Sequence, residues 1–157
     1  LTSSALEVAK LKLFTKEHNM AVHFHNPDSL PAPLGFSHLV EVSDARWIFI
    51  AGQVSRDAAG QLVGPGDFAR QVQQAFNNLE LALAAVGATC KDLVKLNYYC
   101  AASVDPASWP VIVEARDQHV DTERPPASTF VVVQRLLRSE WLIEIEAVAA
   151  LASRSKQ

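Results

Sequence analysis

Arg124-Pro125-Pro126-Ala127-Ser128-Thr129, the apolar run Phe130-Val131-Val132-Val133, a polar stretch at Arg138-Ser139-Glu140, and Leu142-Ile143-Glu144-Ile145-Glu146-Ala147-Val148-Ala149 make up the segment whose reading decides the fold. Two β-rich runs around a short polar turn predict an antiparallel pair. Alternate side chains of a strand share a face, so Ile143, Ile145, Ala147 and Ala149 form an unbroken apolar face that must be core. Leu142, Glu144, Glu146 and Val148 share the other. Two carboxylates inside an otherwise apolar run are the first place to look for chemistry. Phe130 to Val133 is apolar at consecutive positions, so both faces of that strand need cover. A second subunit is the expected cover.

Upstream, the clearest element is a helix. Phe68, Val72, Ala75, Phe76, Leu79, Ala82, Leu83 and Val86 recur at three- and four-residue intervals, one continuous apolar stripe. Asp67 suits its start and Gly87 its end. A second helix is expected from Pro110, which fits a first turn, to about His119. Strands are expected at Phe36–Val42 and Trp47–Ala51, joined by a turn at Ser43-Asp44-Ala45, and at Leu93–Cys100. Pro27 to Gly35 reads as an extended lead-in. Gly52, at a strand end, marks a bend or a close approach, and Asp57–Gly60 a hairpin tip. The order β-β-α-β-α-β-β, with two helices on one face of a mixed sheet, is an α+β domain.

Hydrophobic residues are 49% of the 157 and charged ones 20%, which supports one globular domain rather than a disordered chain. A net charge of −3 supplies no broad positive field, which argues against nucleic acid and anionic membranes as partners. No apolar run approaches the roughly 18 residues of a membrane span. Cys90 and Cys100 are too few for a disulfide framework and lack metal-ligand spacing, so a reducing cytoplasm is the expected setting. Met20 is the sole methionine. Residues 1–19, with a short amphipathic helix expected over Ser4–Lys16, read as a tag or an N-terminal extension, and 20–157 as the domain.

Gly35-Phe36-Ser37, Ala51-Gly52-Gln53-Val54, Gln71, Asn78-Leu79, Val86-Gly87-Ala88, Asp92-Leu93-Val94-Lys95, Pro126-Ala127-Ser128-Thr129 and Ile143–Ala149 follow one another at spacings hard to obtain by chance. Through them the chain from about His25 to Leu151 resembles the Rid/YjgF family, the reactive-intermediate deaminases also described as L-PSP endoribonucleases. The resemblance implies a chorismate-mutase-like fold assembled as a homotrimer, with a small-molecule pocket at each subunit interface and no cofactor or metal. Active members hydrolyse enamines and imines to a 2-keto acid and ammonia. They hold the substrate carboxylate with the arginine of a Pro-Ala-Arg-Ser/Thr motif, whose guanidinium offers a rigid fork.

Here that position is Ser128. A hydroxyl gives one neutral hydrogen bond, whereas charge-assisted bonds contribute roughly 1.5–3 kcal/mol each. The change is expected to weaken a carboxylate ligand by on the order of 10²-fold or more, which argues against standard 2-imino acid deamination. Phe36 stands where a tyrosine is frequent, and Pro110 near a frequent asparagine. The pocket therefore reads as more apolar, and its ligand as an uncharged or weakly polar metabolite.

The resemblance makes Glu144 the catalytic residue, positioning water or the substrate nitrogen, with Phe36, Gly52 and Ser128 lining the pocket. From spacing alone Glu144 and Glu146 read equally as solvated carboxylates, and Ser128 as a strand-start serine. Arg124 is expected at the surface, and Arg135 on the strand face opposite Ser128. Cys100 reads as a buried thiol, Cys90 as a loop cysteine, and Trp109 and Trp141 as packing or interface residues. His23 and His25 have no metal-binding partners that the sequence identifies. Two functions stay open: an enamine/imine hydrolase of the deaminase type, and a non-catalytic binding or interaction trimer. A ribonuclease, the third, is disfavoured by the acidic balance and the lack of a basic patch interleaved with aromatics.

Overall fold

The stripe from Phe68 to Leu83 folds as expected. In the computed structural model, which describes residues 19–153, Phe68, Val72, Ala75, Phe76, Leu79 and Leu83 are buried along α1 (Phe68–Ala84). Each large apolar side chain so buried contributes roughly 1.5–3 kcal/mol. Asp67 Oδ1 accepts from the Arg70 backbone N–H at 3.0 Å, one of the otherwise unpaired donors of the first turn. At the other end Gly87 takes φ +75°, and the Ala88 N–H reaches back to the Leu83 carbonyl at 3.0 Å. The helix expected over Ser4–Lys16 lies outside the described residues.

The strands are β1 (Ala21–His25), β2 (Leu39–Ser43), β3 (Ala45–Val54), β4 (Leu93–Ala101), β5 (Ala127–Val133) and β6 (Ile143–Ala152), with α2 at Pro110–His119 between β4 and β5. β1 and β2 pair antiparallel, and the main sheet runs β3-β6-β4-β5. α1 packs on β3 and β6, and α2 packs on α1. The expected mixed sheet with helices on one face is thus present. Ile143, Ile145, Ala147 and Ala149 are all buried on the helix side.

One expectation fails. β5 and β6 are not neighbours. β5 runs parallel to β4, with Leu96 opposite Ser128 and Tyr98 opposite Phe130. β6 lies between β3 and β4, antiparallel to both. The connecting segment is no tight hairpin turn, which would have fixed the pairing. It is long enough to pass β4, and it buries Leu136 and Trp141 on the way. β1 is also a strand that the extended reading of His23 and His25 did not anticipate.

Candidate functional site

Gly52 and Glu144 meet where β3 bulges. Pairing with β6 steps from Ile50–Ala147 to Gln53–Ile145, so β3 carries one extra residue there. A Cβ built at Gly52 would overlap the Glu144 carboxylate, with Cδ at 2.6 Å and Cγ at 2.7 Å. Only glycine lets this carboxylate lie against the β3 backbone. Burial, and then the neighbouring Glu146, push the Glu144 carboxyl above its ordinary range. Glu146 is held the other way. Asn97 Nδ2 at 3.0 Å and Tyr99 Oη at 2.9 Å donate to it, and these bonds lower its pKa. Adjacent carboxylates pushed apart in this way divide their roles. Of the two, Glu144 is the one whose neutral, protonated form is favoured. Glu146 is a fixed acceptor.

Phe36 and Ser128 meet elsewhere. Ser37 Oγ donates to the Pro125 carbonyl at 2.7 Å and the Ser37 N–H to the Pro126 carbonyl at 3.3 Å. These bonds pin Phe36 beside the start of β5. A cavity of about 250 Å³ opens there, lined by Phe36, Tyr98, Trp109, Arg116, Ser128 and Phe130 among others. Residues opposite one another in neighbouring strands share a face. Ser128 lies opposite Leu96, and Glu144 opposite Tyr99, so the two look out from opposite sides of the sheet. The structure brings Gly52 to Glu144 and Phe36 to Ser128, and keeps the pairs apart.

Arg116 is the residue sequence reasoning passed over. It belongs to the buried side of α2 with Ile112 and Ala115. A charged residue four positions after Ile112, on an apolar stripe, was the available signal. Arg124 stays at the surface, its Nη2 on Asp121 Oδ2 at 3.1 Å, and Arg135 caps the carbonyls of Leu136 and Leu137. Cys90 is buried in a short 3₁₀ turn, Cys90–Asp92, rather than an open loop. Burial, then Glu80 and Asp92, push its thiol up to about 12. It lies near Glu80 and His119. His119 already spends both ring nitrogens, Nδ1 on Glu80 at 2.8 Å and Nε2 on Gln73 at 3.3 Å.

Residues 27–151 match the family model described as Endoribonuclease L-PSP. The chain belongs to the Rid/YjgF family. A Rid protein of unknown function from Yersinia pestis superposes with a TM-score of 0.74 at 40% identity, over 83% of this chain and 98% of that one. A RutC family protein of Pyrococcus abyssi is 31% identical over 123 residues, 78% of this chain and 91% of its own. A Dermatophagoides farinae protein named 2-iminobutanoate/2-iminopropanoate deaminase is 26% identical over 77% of this chain and 90% of its own. The fold is accordingly the Rid/YjgF α+β fold. Among the described residues of this Rid-family chain, no helix is long and apolar enough to cross a membrane.

Proposed function

We propose that the protein is a homotrimer that binds a small metabolite in a cleft between subunits and hydrolyses an enamine or imine to a carbonyl compound and ammonia. The observation that carries this reading is the separation of the two half-sites. From β6 to β5 is two strand spacings, roughly 10 Å, and the pairs face opposite sides of the sheet. One copy cannot close both over one small ligand. A neighbouring copy, laying its β5 edge on the Glu144 face, does so. In that cleft Glu144 takes a proton from water as the oxygen attacks the imine carbon. It returns that proton to nitrogen, giving a carbinolamine, and then carries the carbinolamine's hydroxyl proton to nitrogen as the carbon–oxygen double bond forms, the carbon–nitrogen bond breaks and ammonia leaves. The functional unit is residues 20–157, in the cytoplasm.

Imines generated in situ from amino acids, with released ammonia as the readout, provide the test. General acid–base catalysis contributes about 10²–10⁴-fold, so Glu144→Ala is expected to lose at least 10²-fold. Equal rates for the two proteins reject the chemistry. The second reading, binding without turnover, is favoured by Ser128 in the arginine's place, and predicts saturable ligand binding while both proteins release no ammonia.

A further inference from the structure

The cavity at Phe36 and Ser128 takes no cation from β5, where Ser128 stands, but has one from α2, Arg116. Arg116 is only 8% exposed. Its Nε donates to Asp117 Oδ1 at 2.8 Å, and Nη2 forms an ion pair with the same oxygen at 2.7 Å. Nη1 donates to no acceptor among the described residues. The end of the guanidinium lies beneath Gly35, where a Cβ would meet Cζ and Nη1 at 2.9 Å. Gly35 also has φ +72°, a conformation that disfavours any side chain there. The backbone between Leu34 and Phe36 is thereby allowed to close over the charge.

A second observation points the same way. Tyr98, 4% exposed, lines this cavity, and its hydroxyl has no hydrogen-bond partner. Trp109 Nε1 on the same wall also lacks one, although the Cys100 thiol is close enough to sense it. Burial keeps the Tyr98 phenol protonated, so it is available as a donor. Buried polar groups are ordinarily paired, and each exception calls for a cause. Arg116, Tyr98 and Ser128, from three elements, line one small space whose other walls include Phe36, Trp109, Ile112 and Phe130. A cluster of donors with a positive charge suits an acceptor-only group, and a guanidinium suits a carboxylate.

We infer that Arg116 is the anion anchor of this cavity, with Tyr98 and Ser128 as auxiliary donors, and that the ligand is a small carboxylate bearing an aromatic or branched apolar group. About 250 Å³ is below the roughly 300–1,000 Å³ of sites for drug-sized ligands, which sets the size. The inference rests on the cavity being one half of the ligand site proposed above, and it reverses the expectation of an uncharged ligand drawn from Ser128.

The test reads binding to the full chain, by calorimetry, of phenylacetate and of its neutral isostere phenylacetamide. Wild type is expected to favour phenylacetate by about 10–100-fold, the equivalent of one charge-assisted bond. Arg116→Gln is expected to erase that preference, and Arg116→Lys, which keeps charge without the fork, to retain part of it. Equal binding of the two probes to wild type, or binding of neither, overturns the inference without recourse to any variant. So does a folded Arg116→Gln that keeps the preference. Turnover of the same wild-type protein is read separately, by ammonia release. An inactive wild type that still prefers phenylacetate sinks the hydrolase reading alone, and an active one that binds both probes alike sinks the anchor alone.

Discussion

Glu144 and Glu146 are two residues apart on one face of β6, yet they act on stability in opposite directions. Glu144 has a raised pKa, so the folded chain holds that proton more tightly than the unfolded chain. Stability then falls as pH rises from the ordinary glutamate range through the folded pKa. Glu146 has a lowered one. Its contribution is present above the ordinary range and is lost as pH falls through the folded value. Glu144→Gln is expected to melt above wild type at neutral pH, with the gap closing in acid. Glu146→Gln is expected to melt below wild type at neutral pH. Thermal melts across pH 3 to 8, a range set by the ordinary carboxylate pKa of about 4.3, check both signs. A pH-independent gap for Glu144→Gln would mean that its carboxyl titrates as if in open water. Alternation alone placed the two glutamates on a common face. It could not say which would be paired, because Asn97 and Tyr99 reach Glu146 from another strand. Arg116 was illegible for a related reason: the cavity that gives it meaning is assembled from β4, β5, α2 and the loop before β2.

At the scale of elements, local pattern fixed faces and ends but not neighbours. α1 was readable because its stripe, its Asp67 cap and its Gly87 stop are all local. The place of β6 in the sheet was not, since apolar alternation says which side is inward and nothing about which strand lies alongside. β1 has only five residues, two of them histidines, and so little apolar pattern to read. One buried polar side chain of α1 adds to its apolar packing on the sheet. Gln71 is fully buried. Its Nε2 donates to the carbonyls of Gly64 at 3.1 Å and Glu140 at 2.9 Å, and its Oε1 accepts from the Leu142 N–H at 2.9 Å. This one residue joins the loop before α1 to the start of β6. Gln71→Leu fills similar space and leaves those backbone groups unpaired, at about 1–3 kcal/mol for each that finds no water. A loss on the order of 3 kcal/mol is expected from the denaturant midpoint at unchanged slope. A loss below about 1 kcal/mol would show that the joint is held by packing instead.

At the scale of the whole molecule, one copy leaves too much apolar surface uncovered. Phe49 is 79% exposed, Trp47 shares its sheet face, and Phe130, Val131 and Val132 are exposed along β5, the sheet's edge. A flat apolar edge strand invites pairing or cover, and contiguous apolar patches mark interfaces. The same two regions carry the two halves of the proposed cleft, Glu144 beside β3 and Ser128 on β5. Assembly and site are therefore one question, and subunit mixing answers it. Ser128→Trp blocks the cavity and leaves Glu144 intact, whereas Glu144→Ala does the reverse. Each protein alone is expected to be a trimer by sedimentation and inactive in the ammonia assay. Co-expressed, subunits assort at random, so about one quarter of cyclic interfaces pair an intact Glu144 face with an intact cavity. Activity should return to about a quarter of wild type. If both parents sediment as trimers and the mixture stays as inactive as either, Glu144 and Ser128 do not serve one cleft from two copies, because no site confined to a single chain is repaired by mixing.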